Sequence, residues 1–192
     1  MIMKESSVNL RLILEGCLNK NSMSQKKLYE YYFGFAMNIA LRYGKNREES
    51  LEILNDGFLK VFKNIDRYDD KYPFKAWLHR IIVNTGIDHY RANKNQIKFL
   101  KLEDFHQSIK STDPLPNVST VKDILPEIQE LSPAYRMVFN LYVMEEYKHH
   151  EIAELLDISV STSKSNLARA KAKILKSIMK SKNRKIKSTR HG

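Results

Sequence analysis

Ser161, Lys164, Ser165, Arg169 and Lys173 fall within one stretch, ISVSTSKSNLARAKAKILK (158–176), that contains no acidic residue. Helical spacing places Val160, Ser163, Leu167, Ala170, Ile174 and Ile178 on one side and the cations on the other, with Lys176 a turn further on. Short hydroxyl side chains near a helix start permit close approach to phosphates and base edges. Long cations beyond them reach the backbone on either side of a major groove. Ser159 is suited to cap this helix. Just ahead, HHEIAELL (149–156) reads as a short helix whose Ile152, Ala153 and Leu156 pack on the second, with Asp157-Ile158-Ser159 as the turn. Two helices, a three-residue turn and a basic second helix outline a helix-turn-helix, so the chemistry indicated is recognition of duplex DNA. A merely solvated charged face is the bland alternative. Against it stands the sign bias: residues 158–192 hold eleven Lys/Arg and no Asp/Glu, whereas residues 1–157 hold 22 of each sign, so the whole net charge of +11 arises in this stretch.

A second group lies in FKAWLHRIIVNTGIDHYRANK (74–94), where Arg80, Asn84, Ile87 and Arg91 recur at steps of 4, 3 and 4. The preceding loop, Arg67–Pro73, carries Tyr68 and Tyr72. Unpaired bases stack on aromatic rings and cations track the strand, so this mixture suits single-stranded DNA. Trp77, among apolar residues at helical spacing, reads as core rather than as a stacking platform. In NREESLEILNDGFLKVFKNI (46–65), Asn55, Asp56 and Leu59 lie off the apolar stripe, next to Glu52 and Lys63. An apolar Leu59 on a polar face beside a carboxylate suggests a protein-docking surface, with a stray exposed leucine as the alternative.

Other chemistry finds little support. Adjacent His149 and His150 diverge on a helix, and the two-His spacing of four that holds zinc is absent. Asp66, Asp69 and Asp70 lack the glycine and distal glutamate of a calcium loop. There is no Gly-rich phosphate loop and no nucleophile–base pair. No catalytic, cofactor-binding or metal-binding residue is therefore expected, and the chain does not read as an enzyme. Cys17 is the single cysteine; no internal disulfide or zinc finger can form, which fits a cytoplasmic location. The longest apolar run, Phe33–Leu41, is interrupted and too short to span a bilayer, and the N-terminus does not resemble a secretion signal, so no stable membrane insertion is expected.

The elements that must position these groups are helical throughout, and the fold class is all-α. Leu10, Ile13 and Cys17 predict a short first helix. Tyr31, Tyr32, Phe35 and Ile39 share one face of a second that ends near Gly44. Leu51, Leu54, Phe58, Val61 and Ile65 form a stripe on a third, and Phe74, Trp77, Leu78, Ile81 and Ile82 define a fourth running toward Arg91. Turn formers and prolines at 111–117, followed by Pro126, read as a linker. Ser132-Pro133 then starts a helix whose buried face is Val138, Leu141 and Tyr142. The expected organisation is an N-terminal segment (1–24), a helical domain (25–94), a flexible linker (95–126), a helix-turn-helix domain (127–180) and a disordered basic tail (181–192).

Segment 50–62, the helix FKAWLHRIIVNTGIDHYR and LSPAYRMVFNLYVMEEYKHHEIAELLDISVSTSKSNLARAKAKI (131–174), in that order, resemble the extracytoplasmic-function branch of bacterial sigma factors. The likeness covers most of residues 25–178. It implies a subunit that binds core RNA polymerase and directs it to promoters. Asn55, Asp56 and Leu59 would dock on the coiled coil of the largest polymerase subunit. Tyr68, Tyr72, Arg80, Asn84 and Arg91 would hold the melted minus-ten element, and Ser161, Lys164, Ser165, Arg169 and Lys173 would read the minus-thirty-five element in duplex form. The branch is commonly held inactive by an anti-sigma factor, often membrane-bound. Departures from its pattern are Asn55-Asp56 in place of Gln-Glu, fewer arginines after the helix 74–91, and Ala168 in the recognition helix, so base preference does not transfer. The competing reading is a stand-alone helix-turn-helix regulator, which would have no need of the aromatic loop.

Overall fold

The computed structural model describes the backbone of residues 7–99 and 124–188, and the side chains of residues 10–93 and 124–180. Among the described residues every regular element is helical: α1 (Ser7–Leu18), α2 (Ser22–Tyr43), α3 (Arg47–Lys63), α4 (Phe74–Phe99), α5 (Leu125–Gln129), α6 (Pro133–Phe139), α7 (His149–Leu156) and α8 (Val160–Ser188). Cα packing gathers the chain into two compact units, Met1–Gly86 and Ile87–Gly192.

In the first unit, side-chain caps set where helices begin. Asn21 Oδ1 accepts from the Ser24 amide at 2.9 Å to start α2, and Asn46 Oδ1 accepts from the Glu49 amide at 2.9 Å to start α3. Glu49 in turn accepts from the Lys45 amide. Glu48 and Glu49 at the α3 N-terminus and Lys60 and Lys63 at its C-terminus oppose the helix dipole. Leu28, Ala36, Ala40, Leu54, Phe58, Leu78 and Ile82 form the buried core. Two glycines allow close approach: a Cβ at Gly57 would lie 2.4 Å from Ile82 Cδ1, and one at Gly86 would lie 2.7 Å from the Tyr43 ring.

Several expected core faces shift. On α3 the buried residues are Ser50, Ile53, Leu54, Gly57, Phe58 and Val61, while Leu51 is exposed. Ile65 is buried but lies in a 3-10 turn (Ile65–Arg67) after α3 has ended. On α2, Tyr31 is exposed and Leu28, Ala36 and Met37 complete the face instead.

In the second unit, Ile128, Val138, Phe139, Leu141, Ile152, Leu156, Ala170 and Ile174 are the buried centre. The buried Arg136 ties α6 to the chain before it, donating to the carbonyls of Gln129 and Leu131 at 3.1 and 3.0 Å. Residues 140–144 form a π-turn rather than a continuation of α6. The wider turn changes the angular phase, so Tyr142 leaves the expected buried face and is 38% exposed. Pro126, expected to close the linker, occupies the first turn of α5, where a missing amide costs no helical bond. Residues 95–99, also expected in the linker, continue α4 instead, and residues 100–123 lie outside the described residues. The helix-turn-helix turn is made without glycine: Asp157 takes φ 51°, a left-handed conformation that Asp tolerates, and the Ile158 amide closes back on Ala153 O at 3.0 Å. The backbone of α8 stays helical to Ser188, against the expectation of disorder from 181. Residues 189–192 lie outside the described residues.

Candidate nucleic-acid interface and docking surface

The start of α8 is built by hydroxyl chemistry. Ser159 Oγ accepts from the Thr162 amide at 3.0 Å and lies 2.8 Å from both Ser161 Oγ and Thr162 Oγ1. Ser165 Oγ donates to Thr162 O at 3.0 Å. Ser161, Lys164, Ser165 and Lys173 are exposed and Arg169 is half-buried. At about 100° per residue, Ser161, Ser165 and Arg169 share the outer face, while Lys164 and Lys173 sit about half a turn apart on its two flanks. The ammonium of Lys173 lies 5.0 Å from the centre of the Tyr135 ring on α6, a cation–π contact. Ser163, Leu167, Ala170 and Ile174 face the core as expected. Val160, at the first helical position, is 41% exposed instead, and Asn166 is buried in the face the sequence left unassigned.

On α3, Asn55, Asp56 and Leu59 are all exposed, Leu59 by 66%. Leu59 stands opposite the Ile53–Gly57–Val61 core, flanked on the helix surface by Asn55, Glu52 and Asp56. Asn55 Oδ1 accepts from the Tyr29 hydroxyl of α2 at 2.9 Å. Covering Leu59 with a partner would contribute about 1.5–3 kcal/mol of hydrophobic free energy.

The loop ahead of α4 separates its two tyrosines. The Tyr68 ring packs edge-on against Phe74 (5.3 Å) and tilted against Trp77 (5.4 Å), and its hydroxyl donates to Tyr72 O at 2.6 Å. Burial, then the nearby Asp70 and Asp69, push the Tyr68 phenol up and keep it a donor. Tyr72, by contrast, is 66% exposed. Trp77 is half-buried in this aromatic group. Along α4, Arg80, Asn84 and Arg91 are exposed, and Arg91 Nη1 lies 3.9 Å from Asp88. Ile87, expected on the same line, is only 3% exposed, because its aliphatic side chain gains by leaving water; it leaves the polar groups alone on that face.

Sequence reasoning missed the long-range polar partners. Tyr29 is one. Arg42 is another, buried on α2 with Nη2 3.5 Å from His79 Nε2 of α4. A third is His149, which the sequence placed on a helix without a metal-binding spacing and without a partner. Its ring stacks on Tyr142 (4.5 Å, 25°), and Nδ1 lies 2.9 Å from the buried Ser163 hydroxyl. Partners so far apart in sequence leave no periodic signal. Among the described residues, no group of three or more His, Cys, Asp or Glu is placed to hold a metal ion. No helix among them is long and apolar enough to cross a membrane.

Residues 28–96 match the family model of sigma-70 region 2, and residues 123–174 match that of sigma-70 region 4. The chain is 29% identical over 145 residues to the ECF RNA polymerase sigma factor SigW of Bacillus subtilis, covering 69% of this chain and 77% of that one. It is 24% identical over 155 residues to SigM of the same organism, covering 79% and 93%. Among solved structures it is similar to the sigma factor RpoE of Bartonella quintana in complex with the anti-sigma factor NepR, at 16% identity over 79% of this chain and 94% of that one, with a TM-score of 0.43. The first match contains the exposed α3 face of Asn55, Asp56 and Leu59, the aromatic loop and α4 as far as residue 96, and the second contains the helix-turn-helix. With both regions present in order and the named relatives agreeing, the chain belongs to the extracytoplasmic-function branch of the bacterial sigma factors.

Proposed function

We propose that this sigma factor acts in the cytoplasm and divides its work among three surfaces. The α3 face of Asn55, Asp56 and Leu59 docks on core RNA polymerase. Tyr72, with Arg80, Asn84 and Arg91, holds the melted minus-ten strand, and Tyr68 fixes the loop from within. The α8 group of Ser161, Lys164, Ser165, Arg169 and Lys173 grips the minus-thirty-five duplex. The observation that carries this reading is the contrast within one loop, where Tyr68 is packed and tied while Tyr72 stands open to solvent. A duplex-only regulator has no use for a fixed loop that presents a free aromatic ring.

Promoter opening then follows from differential binding. Unstacking a base costs a few kcal/mol, and stacking on an aromatic ring returns about 1–3 kcal/mol per base. The upstream anchor holds the complex in register meanwhile, through a cationic contact that weakens as salt rises. Mixing the purified chain with bacterial core polymerase and a promoter template tests this. A stable complex and a promoter-specific transcript are expected; absence of both would defeat the reading.

A further inference from the structure

We propose that Tyr29 is a positioning residue of the polymerase-docking face, holding the Asn55 amide so that its Nδ2 donor is turned toward the partner. The inference rests on the reading of α3 as that face.

The ring of Tyr29 is itself held. It lies 4.7 Å from Phe58 and 5.6 Å from Phe33, both tilted, and Phe58 is a core residue only 2% exposed. With the ring pinned, the hydroxyl has a fixed place, and it donates to Asn55 Oδ1 at 2.9 Å. Burial raises the phenol's pKa and so preserves the proton that makes this bond. An asparagine amide has an oxygen acceptor and a nitrogen donor that point in different directions. Engaging the oxygen on the α2 side leaves the nitrogen directed away from α2, on the helix surface that also carries Asp56 and the exposed Leu59. The face therefore offers a partner a fixed donor, a carboxylate and an apolar centre. An untethered Asn55 would have to be immobilised at the moment of binding, at an entropic cost. A hydrogen bond between side chains 26 residues apart thus acts on a surface that neither helix would order alone.

The test measures equilibrium binding of the full chain to bacterial core polymerase for the wild type, Tyr29→Phe, Asn55→Ala and the double variant. Asp56→Arg and Leu59→Ala serve as probes of the face, and thermal unfolding of each variant verifies the fold. Tyr29→Phe should weaken binding by roughly three- to ten-fold, the range expected for one side chain left to be ordered on association. In the Asn55→Ala background it should have no further effect, because its target is gone. Wild-type affinity in Tyr29→Phe, or the same loss in both backgrounds, would overturn the inference while Asp56→Arg and Leu59→Ala still weaken binding. If those two variants also bind normally, the docking face itself is wrong, and the role of Tyr29 falls with it.

Discussion

His149, the first residue of α7, places Nδ1 2.9 Å from the hydroxyl of Ser163, a fully buried residue in the first turn of α8. The contact joins the two helices of the DNA-reading motif at the end where the recognition helix begins. With the imidazole stacked on Tyr142, it fixes how α8 leaves the turn.

The surroundings of His149 make the second unit sensitive to acid. Burial first, and then the Lys164 and Lys171 charges, lower the His149 pKa below its ordinary 6.5. The unfolded chain takes up this proton near 6.5 and the folded chain only at lower pH. Between those two values the unfolded state binds more protons, so stability falls as pH drops through that window and is unaffected by His149 above it. The melting temperature of the second unit should decline as the pH drops below the ordinary histidine value, and His149→Gln should flatten that decline. Parallel slopes in the two proteins, at matched ionic strength, would show that His149 is not the group responsible.

The cap of α8 is the next point of weakness. Ser159 Oγ is the acceptor for the Thr162 amide. Ser159→Ala removes it at the start of α8 and should destabilise the second unit by about 1 kcal/mol. Ser159→Asp, which retains an acceptor, should lose less. Urea unfolding of the three proteins checks the order; an alanine variant as stable as the wild type would mean that solvent replaces the cap without loss.

Tyr68 and Tyr72 should separate in a promoter-opening assay. Tyr72→Ala removes the exposed ring and, at about 1–3 kcal/mol for one stacked base, should reduce the open-complex fraction by roughly ten-fold or more without changing thermal stability. Tyr68→Phe keeps the packed ring but loses the bond to Tyr72 O. It should reduce opening less, and its defect should vanish in the Tyr72→Ala background. Permanganate reactivity of minus-ten thymines in the reconstituted holoenzyme reads both effects. Additive losses would mean that Tyr68 acts independently of its neighbour.

The helical class was legible because apolar residues recur at helical steps in every long segment, and the helix-turn-helix because its charge is so one-sided. Leu59 stood out for being apolar on a polar face, a contrast visible in one dimension. What failed was phase. On α3 the core includes Gly57, which has no side chain to mark it but admits Ile82. The stripe therefore appeared rotated toward Leu51, which is exposed. On α6 the spacing was read through a π-turn that a constant period cannot represent, and Tyr142 was assigned inward. The tyrosines of the 67–73 loop looked equivalent because only packing on Phe74 and Trp77 tells them apart. Tyr29, Arg42 and His149 were silent for a related reason. Each gains its role from a partner on another helix, and sequence distance hides that pairing.

Lys173 and Arg169 look interchangeable in sequence yet should behave differently as alanine variants. Arg169 lies on the outer face of α8, whereas Lys173 sits on a flank with its ammonium 5.0 Å from the Tyr135 ring. A cation–π contact of this kind contributes about 0.5–1 kcal/mol at an exposed site. Lys173→Ala should therefore lower the stability of the second unit by about that amount as well as weaken upstream DNA binding. Arg169→Ala should weaken binding at unchanged stability. If each cation meets one phosphate, each variant should reduce the slope of log affinity against log salt by about 1. A loss confined to one promoter sequence, with the slope intact, would instead place that side chain on a base edge. Titrating upstream duplex at several salt concentrations, beside melting curves, separates these outcomes. Equal stability losses in both variants would contradict the structural role assigned to Lys173.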